Sequence, residues 1–125
     1  MIIINLTQHA ASPEQLAAGV VEPNPGHKRI ITDALTFDQI PDRDEMVERA
    51  AKILALVQEQ YPAADAAMLG GAPFFMIVLH EMLADNGINP VYAFSVRESE
   101  EQVQADGSVK KVAVFRHRGF VGLDG

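Results

Sequence analysis

The sequence contains no cysteine and no tryptophan, and none of its apolar runs reaches the roughly 18 residues that a membrane-spanning helix needs. Without cysteine the protein has no disulfide bond, no thiolate zinc site and no cysteine nucleophile. The first residues lack the basic flank and the length of a signal peptide. We therefore expect a cytoplasmic protein that has no membrane partner and is stabilised by its hydrophobic core.

Positive charge is scarce in the chain as a whole. Ten Lys and Arg residues face 17 Asp and Glu residues, which gives a net charge of −7. Because binding to duplex DNA or RNA draws much of its affinity from phosphate neutralisation by many cations, we expect no long nucleic acid as a partner. The imbalance lies in residues 1–89, whereas residues 90–125 hold five basic and five acidic side chains. A small anion remains compatible with this distribution.

The length of 125 residues and the hydrophobic fraction of 48% predict one domain, 1–125, with one continuous core. Residues 1–5 have the pattern of a short buried strand. Ser12, followed by proline and with glutamine three residues later, predicts the start of a short helix. A second helix should begin near Asp42, because acidic residues there favour the positive end of a helix dipole. The segment 29–37 is compatible with either an edge strand or an irregular segment.

The second half of the chain predicts a strand, a glycine turn, a helix and a hairpin. Residues 66–69 are apolar and end at Gly70 and Gly71, after which a strongly apolar helix covers about 74–86. Residues 90–99 and 112–120 are rich in β-branched and aromatic side chains and are joined through an Asp-Gly turn. We predict an α/β fold, a small Rossmann-like open sheet, mostly parallel with an antiparallel C-terminal hairpin at its edge.

In such a sheet, ligands bind beyond the carboxyl ends of the strands, where the strand order reverses. Three segments should meet there, namely 5–9, 70–73 and 95–98. The predicted ligand-binding residues among them are Thr7, Gln8, His9, Gly70 and Gly71. Hydroxyl, amide and imidazole groups can orient a ribose or base, and glycines before a helix let a phosphate approach backbone N–H groups. Turn chemistry and close packing are the alternative interpretations of the two groups.

Cationic side chains at the ends of the hairpin strands are the other candidate feature. We predict that Arg97 and Arg116 bind an anionic ligand and that Ser95, on the same strand face as Arg97, hydrogen-bonds it. A surface ion pair between Arg97 and a nearby glutamate is the alternative. His117 is the candidate general acid or base, because imidazole titrates near neutrality. We interpret His80 as a core or interface group and predict neither a metal nor a cofactor, since the histidines lack a ligand spacing.

The stretch 90–120 resembles the closing half of a small single-domain CRISPR-associated ring nuclease family, related to the Rossmann-like CARF sensors. Tyr92, Arg97-Glu98, the hairpin 106–110, Phe115-Arg116-His117 and Phe120 carry the resemblance. Leu6-Thr7-Gln8-His9 with Pro13-Glu14-Gln15 is similar to that family's first strand and turn. The resemblance covers about half of the chain. At Gly70-Gly71-Ala72-Pro73 the sequence departs from the turn expected of the family.

The resemblance implies a CARF-like homodimer that binds cyclic oligoadenylate, most often the tetra-adenylate, and cleaves it without metal through a ribose 2′-hydroxyl. Arg97, Ser95 and Gly71 would contact the scissile phosphate, and His117 or His9 would assist proton transfer. The apolar helix near 74–82 independently favours a homodimer. Two alternatives stay open: a non-catalytic module that senses or sequesters a nucleotide, and an unrelated nucleotide-handling or interaction protein.

Overall fold

The computed structural model describes residues 1–122, which form a five-stranded sheet with helices on both faces. Its elements are β1 (Ile3–Asn5), α1 (Pro13–Ala17), β2 (Val20–Val21), α2 (Pro25–Leu35), α3 (Arg43–Gln60), β3 (Ala66–Leu69), α4 (Pro73–Asp85), β4 (Asn89–Val103) and β5 (Val109–Val121). The strand order is β2-β1-β3-β4-β5, parallel except for the antiparallel pair β4 and β5. The predicted fold class, a mostly parallel Rossmann-like sheet with an antiparallel C-terminal hairpin at its edge, is confirmed.

The strand order reverses at β1, which has β2 on one side and β3 on the other. Because crossovers between parallel strands are right-handed, the connections to β2 and to β3 pass over opposite faces of the sheet. The main core lies on the face covered by α2, α3 and α4, where Ile4 and Leu69 pack against side chains of these helices. A smaller cluster on the other face contains Ile3, Met68 and Val91, and Ala11 packs against it just before α1.

Local capping explains where the predicted helices begin. The Ser12 side chain accepts a hydrogen bond from Gln15 N (3.1 Å), and the Gln15 side chain accepts one from Ser12 N (3.0 Å), so that the predicted capping box is present. Asp42 caps α3 by accepting from Glu45 N at 2.8 Å. Both helix starts are therefore set by residues close in sequence.

The segment 29–37 is not a strand, because most of it belongs to α2. Asn24 caps this helix and Pro25 is its first residue. At the other end, Arg49 of α3 donates to the carbonyls of Asp33, Ala34 and Thr36 and lies 4.2 Å from the ring centre of Phe37. The carbonyls at the end of α2 are thus hydrogen-bonded by an arginine from another helix. The local sequence of 29–37 does not reveal this interaction.

Strands β4 and β5 continue far past the rest of the sheet. Pairing between β3 and β4 ends at Tyr92, but β4 and β5 remain paired from Tyr92 opposite Val121 to Val103 opposite Val109. We call residues 94–119 the arm. Arg97, Arg116 and His117 lie in the middle of these strands, so the prediction that they stand at strand ends is wrong. Within the described residues no helix is long and apolar enough to cross a membrane.

Candidate functional site

A crevice of about 620 Å³ opens at the carboxyl ends of β1, β3 and β4. Five residues predicted from the sequence line it, namely Thr7, Gln8, His9, Gly70 and Gly71. The first three follow β1 and the two glycines follow β3, so the crevice lies where the strand order reverses. The structure therefore brings these two segments together as expected. The third predicted segment, 95–98, does not line the crevice.

Asn5 fixes the loop that carries Thr7, Gln8 and His9. Its side chain is fully buried, and Nδ2 donates to the carbonyl of His9 (2.8 Å) and to Glu22 Oε1 (2.7 Å). Oδ1 accepts from N (2.9 Å) and Oγ1 (2.7 Å) of Thr7. A buried amide with all these partners is a rigid support, because breaking any bond leaves a polar group unpaired. Sequence reasoning missed Asn5, whose partners are set by tertiary structure.

Glu22 and Lys28 extend this network. Glu22 Oε1 also accepts from Ala11 N at 2.7 Å, and Lys28 Nζ donates to the carbonyls of Thr7 (2.7 Å) and His9 (3.0 Å). Desolvation by burial lowers the pKa of Lys28, and the charge of Glu22, 3.8 Å away, partly opposes that shift. The loop is thus held from the side of β2 and α2, while the side chains of Gln8 and His9 stay exposed.

The start of α4 forms another wall of the crevice. Its N-cap residue, Ala72, has no side-chain hydrogen bond to offer the first turn. Within residues 1–122, the backbone N–H groups of Gly71 and Ala72 donate no hydrogen bond. Unpaired donors at the positive end of a helix dipole favour an anionic or electron-rich group of a ligand. This wall can therefore receive a phosphate without any cationic side chain.

Three further residues with polar side chains line the crevice, which the sequence did not point to as ligand contacts, namely Ser12, Gln15 and Tyr92. Ser12 and Gln15 belong to the capping box at the start of α1. The Tyr92 hydroxyl lies 3.0 Å from His80 Nδ1, the two rings are stacked, and burial raises the pKa of Tyr92. His80 is therefore a satisfied, half-buried group, as expected. The position of Tyr92 at the end of the parallel sheet is the signal that could have identified it.

Ser95 and Arg97 lie on the exposed arm, outside the crevice. Arg97 is five residues beyond Tyr92, a distance of about 17 Å along an extended strand. Within the described part of the chain, Arg97 forms no ion pair. A ligand confined to the crevice of the same chain does not reach it, so its role as a phosphate contact stays a prediction.

Arg116 lies on the other face of the arm, in an ion-pair network. It pairs with Glu98 at 3.6 Å and with Glu100, and Arg118 also pairs with Glu98. In the register of the arm, Arg116 is opposite Val96, whereas Ser95 and Arg97 are opposite His117 and Phe115. Arg97 and His117 thus lie on one face of the arm and Arg116 on the other, and Arg116 and Arg118 are neutralised by glutamates.

A bulge in β5 determines where His117 points. Phe94 pairs with Gly119 but Ser95 pairs with His117, so Arg118 has no opposite residue. As a result His117 and Phe120, which a regular strand would place on opposite faces, make an edge-to-face contact with ring centres 4.9 Å apart. Nδ1 of His117 is buried and has no hydrogen-bond partner within residues 1–122.

Other parts of the structure offer less chemistry. Among the described residues, no group of three or more His, Asp or Glu side chains is arranged to hold a metal ion. A depression of about 640 Å³ lies between α2 and α3, but its central cation, Arg49, is engaged with the end of α2. The crevice beyond β1 and β3 remains the candidate site.

Fold and site define a small Rossmann-like α/β protein with a crevice at the switch point of its sheet. The chain belongs to the uncharacterized protein MJ1673 family, whose family model matches residues 1–121. No curated protein and no solved structure matches the chain.

Proposed function

We propose that the protein binds a small nucleotide in the crevice, with ribose and base against Thr7, Gln8 and His9 and a phosphate at the start of α4. The observation that carries this proposal is the position of the crevice at the switch point between β1 and β3, where the uncapped α4 begins. Open α/β sheets bind nucleotides at such points. Backbone N–H groups at a helix start suit a phosphate.

The chemistry of the crevice favours a ligand with few charges. Hydroxyl, amide and imidazole groups line it together with apolar side chains, and among residues 1–122 no Lys or Arg does. A polyphosphate would bring several negative charges into a site whose lining contains no cationic side chain to neutralise them. A nucleotide with one phosphate for each ribose fits this balance better. The lining therefore favours phosphodiester-linked nucleotides over nucleoside triphosphates.

Cyclic oligoadenylate is the phosphodiester ligand that the resemblance to ring nucleases suggests, and its metal-independent cleavage is the proposed reaction. A ribose 2′-oxygen attacks the neighbouring phosphorus, and the bond from phosphorus to the 5′-oxygen breaks. The proton of the 2′-hydroxyl passes to a base, and the departing 5′-oxygen takes up a proton. The products are linear and end in a 2′,3′-cyclic phosphate. The protein contributes positioning and charge stabilisation.

His9 is better placed than His117 to transfer a proton in this reaction. Its ring is exposed at the crevice, and its carbonyl is held by Asn5 and Lys28. His117 packs against Phe120 and is not a crevice residue. The two histidines therefore make a matched pair of variants, one at the proposed site and one away from it.

Incubation with cyclic tetra-adenylate in EDTA tests the proposal. We expect linear products with a 2′,3′-cyclic phosphate, identified by mass spectrometry, and a rate about 100-fold lower for His9→Ala with a much smaller loss of binding. A comparable loss for His117→Ala instead would move proton transfer to the arm. Tight binding without cleavage would support the alternative of a sensing or sequestering module. Absence of both binding and cleavage would reject the nucleotide function.

A further inference from the structure

The arm exposes more apolar surface than a soluble hairpin needs. Phe94 is 53% exposed and Phe115 71% exposed, and Val96, Val103 and Val109 are also exposed. Beyond Tyr92 the two strands pair only with each other. An isolated two-stranded ribbon is marginally stable in water. Phe115, Val103 and Val109 share one face of the arm, so a surface packed against that face would remove them from water and hold the ribbon in place.

The accessible surface of the chain is larger than that of a compact monomer, by an area that matches one interface. The accessible surface is 7740 Å². A compact monomer of this mass exposes about 6,600 Å², so the excess is about 1,100 Å². Each partner in a standard interface buries about 800 Å². The excess is therefore sufficient for one stable interface.

Helix α4 presents a surface that complements the arm. Phe74, Ile77, Glu81 and Asp85 recur at helical spacing along one stripe of α4, and Ile77 is 66% exposed. Beside this stripe runs an apolar groove of about 490 Å³, lined by residues that include Ile77, His80 and Tyr92. The first half of the stripe is apolar and the second half is acidic. It can accept an aromatic side chain and a cation together.

The cations of β5 are complementary to that stripe, whereas the β4 half of the arm carries Glu98, Glu100 and Glu101. Strand β5 holds four basic residues and no acidic one, whereas α4 holds two acidic residues and no Lys or Arg. Arg116 and Arg118 already pair with Glu98, but Lys110 and Lys111 form no ion pair within residues 1–122. Both complementary surfaces belong to the same chain. When each arm docks on α4 of the other copy, the contact is reciprocal and closes as a two-fold symmetric dimer.

We propose that the arm of each copy docks on α4 of a second copy, with Phe115 near Ile77 and Lys111, which lies on the same face of the arm as Phe115, near Asp85. The inference rests on exposed area and charge and does not depend on the nucleotide ligand. It has a consequence for the crevice, because Gly70 and Gly71 line both the crevice and the α4 groove. A docked arm would therefore border the crevice of its partner.

Cysteine cross-linking tests the contact directly, since the chain has no cysteine of its own. Phe115→Cys and Ile77→Cys are prepared as separate, differently tagged chains, mixed and oxidised. We expect a disulfide-linked heterodimer. The matched control is Ile30→Cys, an exposed apolar position on α2, which should not cross-link to Phe115→Cys. Equal cross-linking to both positions, or a link between two Phe115→Cys chains alone, would overturn the proposal.

Mass and charge reversal provide the second measurement. Light scattering at micromolar concentration should give twice the chain mass of 13.6 kDa. Lys111→Glu should weaken the dimer at least tenfold. Adding Asp85→Lys to that chain should restore it, which a general loss of folding cannot produce. A wild-type monomer at these concentrations, or no restoration by the second substitution in a variant that circular dichroism shows to be folded, would contradict the contact.

Discussion

A Cβ atom placed on Gly70 would lie 3.3 Å from Cγ2 of Thr7. The turn after β3 and the loop after β1 therefore contact each other at the crevice. The absence of a side chain at Gly70 allows this close approach. The backbone at Gly70 is not in the left-handed region. Space, and not conformation, is the reason for glycine here.

The contact between Gly70 and Thr7 predicts a rescue. Gly70→Ala should lower the free energy of unfolding by about 1 kcal/mol, because the loop must move by a few tenths of an ångström. Thr7→Ser removes Cγ2 but keeps the hydroxyl, so the same glycine substitution should cost much less in that background. Urea denaturation of the four chains measures the coupling. Equal costs in both backgrounds would show that the contact is not limiting.

Replacing Asn5 tests whether the loop is held by its buried amide. Asn5→Ala removes hydrogen bonds to His9, Glu22 and Thr7, and we expect a loss of about 2 to 3 kcal/mol in the free energy of unfolding. Asn86→Ala is the control, because Asn86 is exposed and its side chain makes one bond, to Met82. It should cost less than about 1 kcal/mol. Similar losses for the two variants would remove Asn5 from its supporting role.

Tyr92 should lose its phenol proton at a higher pH in the folded protein than in the unfolded chain. Burial raises its pKa above the unperturbed value of 10.0, so the folded protein keeps the phenol proton at a pH where the unfolded chain loses it. Its contribution to stability is fully present below pH 10 and is lost as the pH rises through the folded-state pKa. In Tyr61→Phe, Tyr92 is the remaining tyrosine. Phenolate absorbance of this variant should therefore rise at a higher pH in the folded protein than in denaturant.

Arg97→Ala tests whether the arm contributes to ligand affinity in addition to the crevice. Because Arg97 lies outside the crevice, we expect the variant to bind AMP like the unmodified protein and to bind cyclic tetra-adenylate at least tenfold more weakly. The crevice has the volume of a site for one drug-sized ligand, so a ring of four nucleotides must extend beyond it. Calorimetry measures the affinity of the variant and of the unmodified protein for both ligands. Unchanged affinity for the ring would show that Arg97 does not contact the phosphate.

The parts of the fold that could be predicted are those coded by neighbouring residues. The capping box of Ser12 and Gln15 and the glycine turn after β3 involve side chains within a few positions of one another. The order of strands and helices then placed Thr7 and Gly70 at one end of the sheet, because parallel strands share their carboxyl ends. Five of the 14 residues that line the crevice follow from that rule alone.

The parts that could not be predicted depend on residues far apart in sequence. The end of α2 is held by Arg49 from the next helix, and the loop after β1 by Glu22 and Lys28. In the arm, charged residues continue a strand whose length the hydrophobic pattern alone does not define. The bulge at Arg118 then reverses the faces that simple alternation assigns beyond it.

Phe120, at the root of the arm, packs with Ile3, Met68 and Val91 on the sheet face that the short α1 leaves thinly covered. The root is therefore part of the folded body, whereas the outer turn and its flanking residues are not. Shortening the hairpin from its tip would leave that packing in place, while removing both strands would uncover the sheet. Hairpins of different length can therefore be joined to the same sheet without loss of the packing around Phe120.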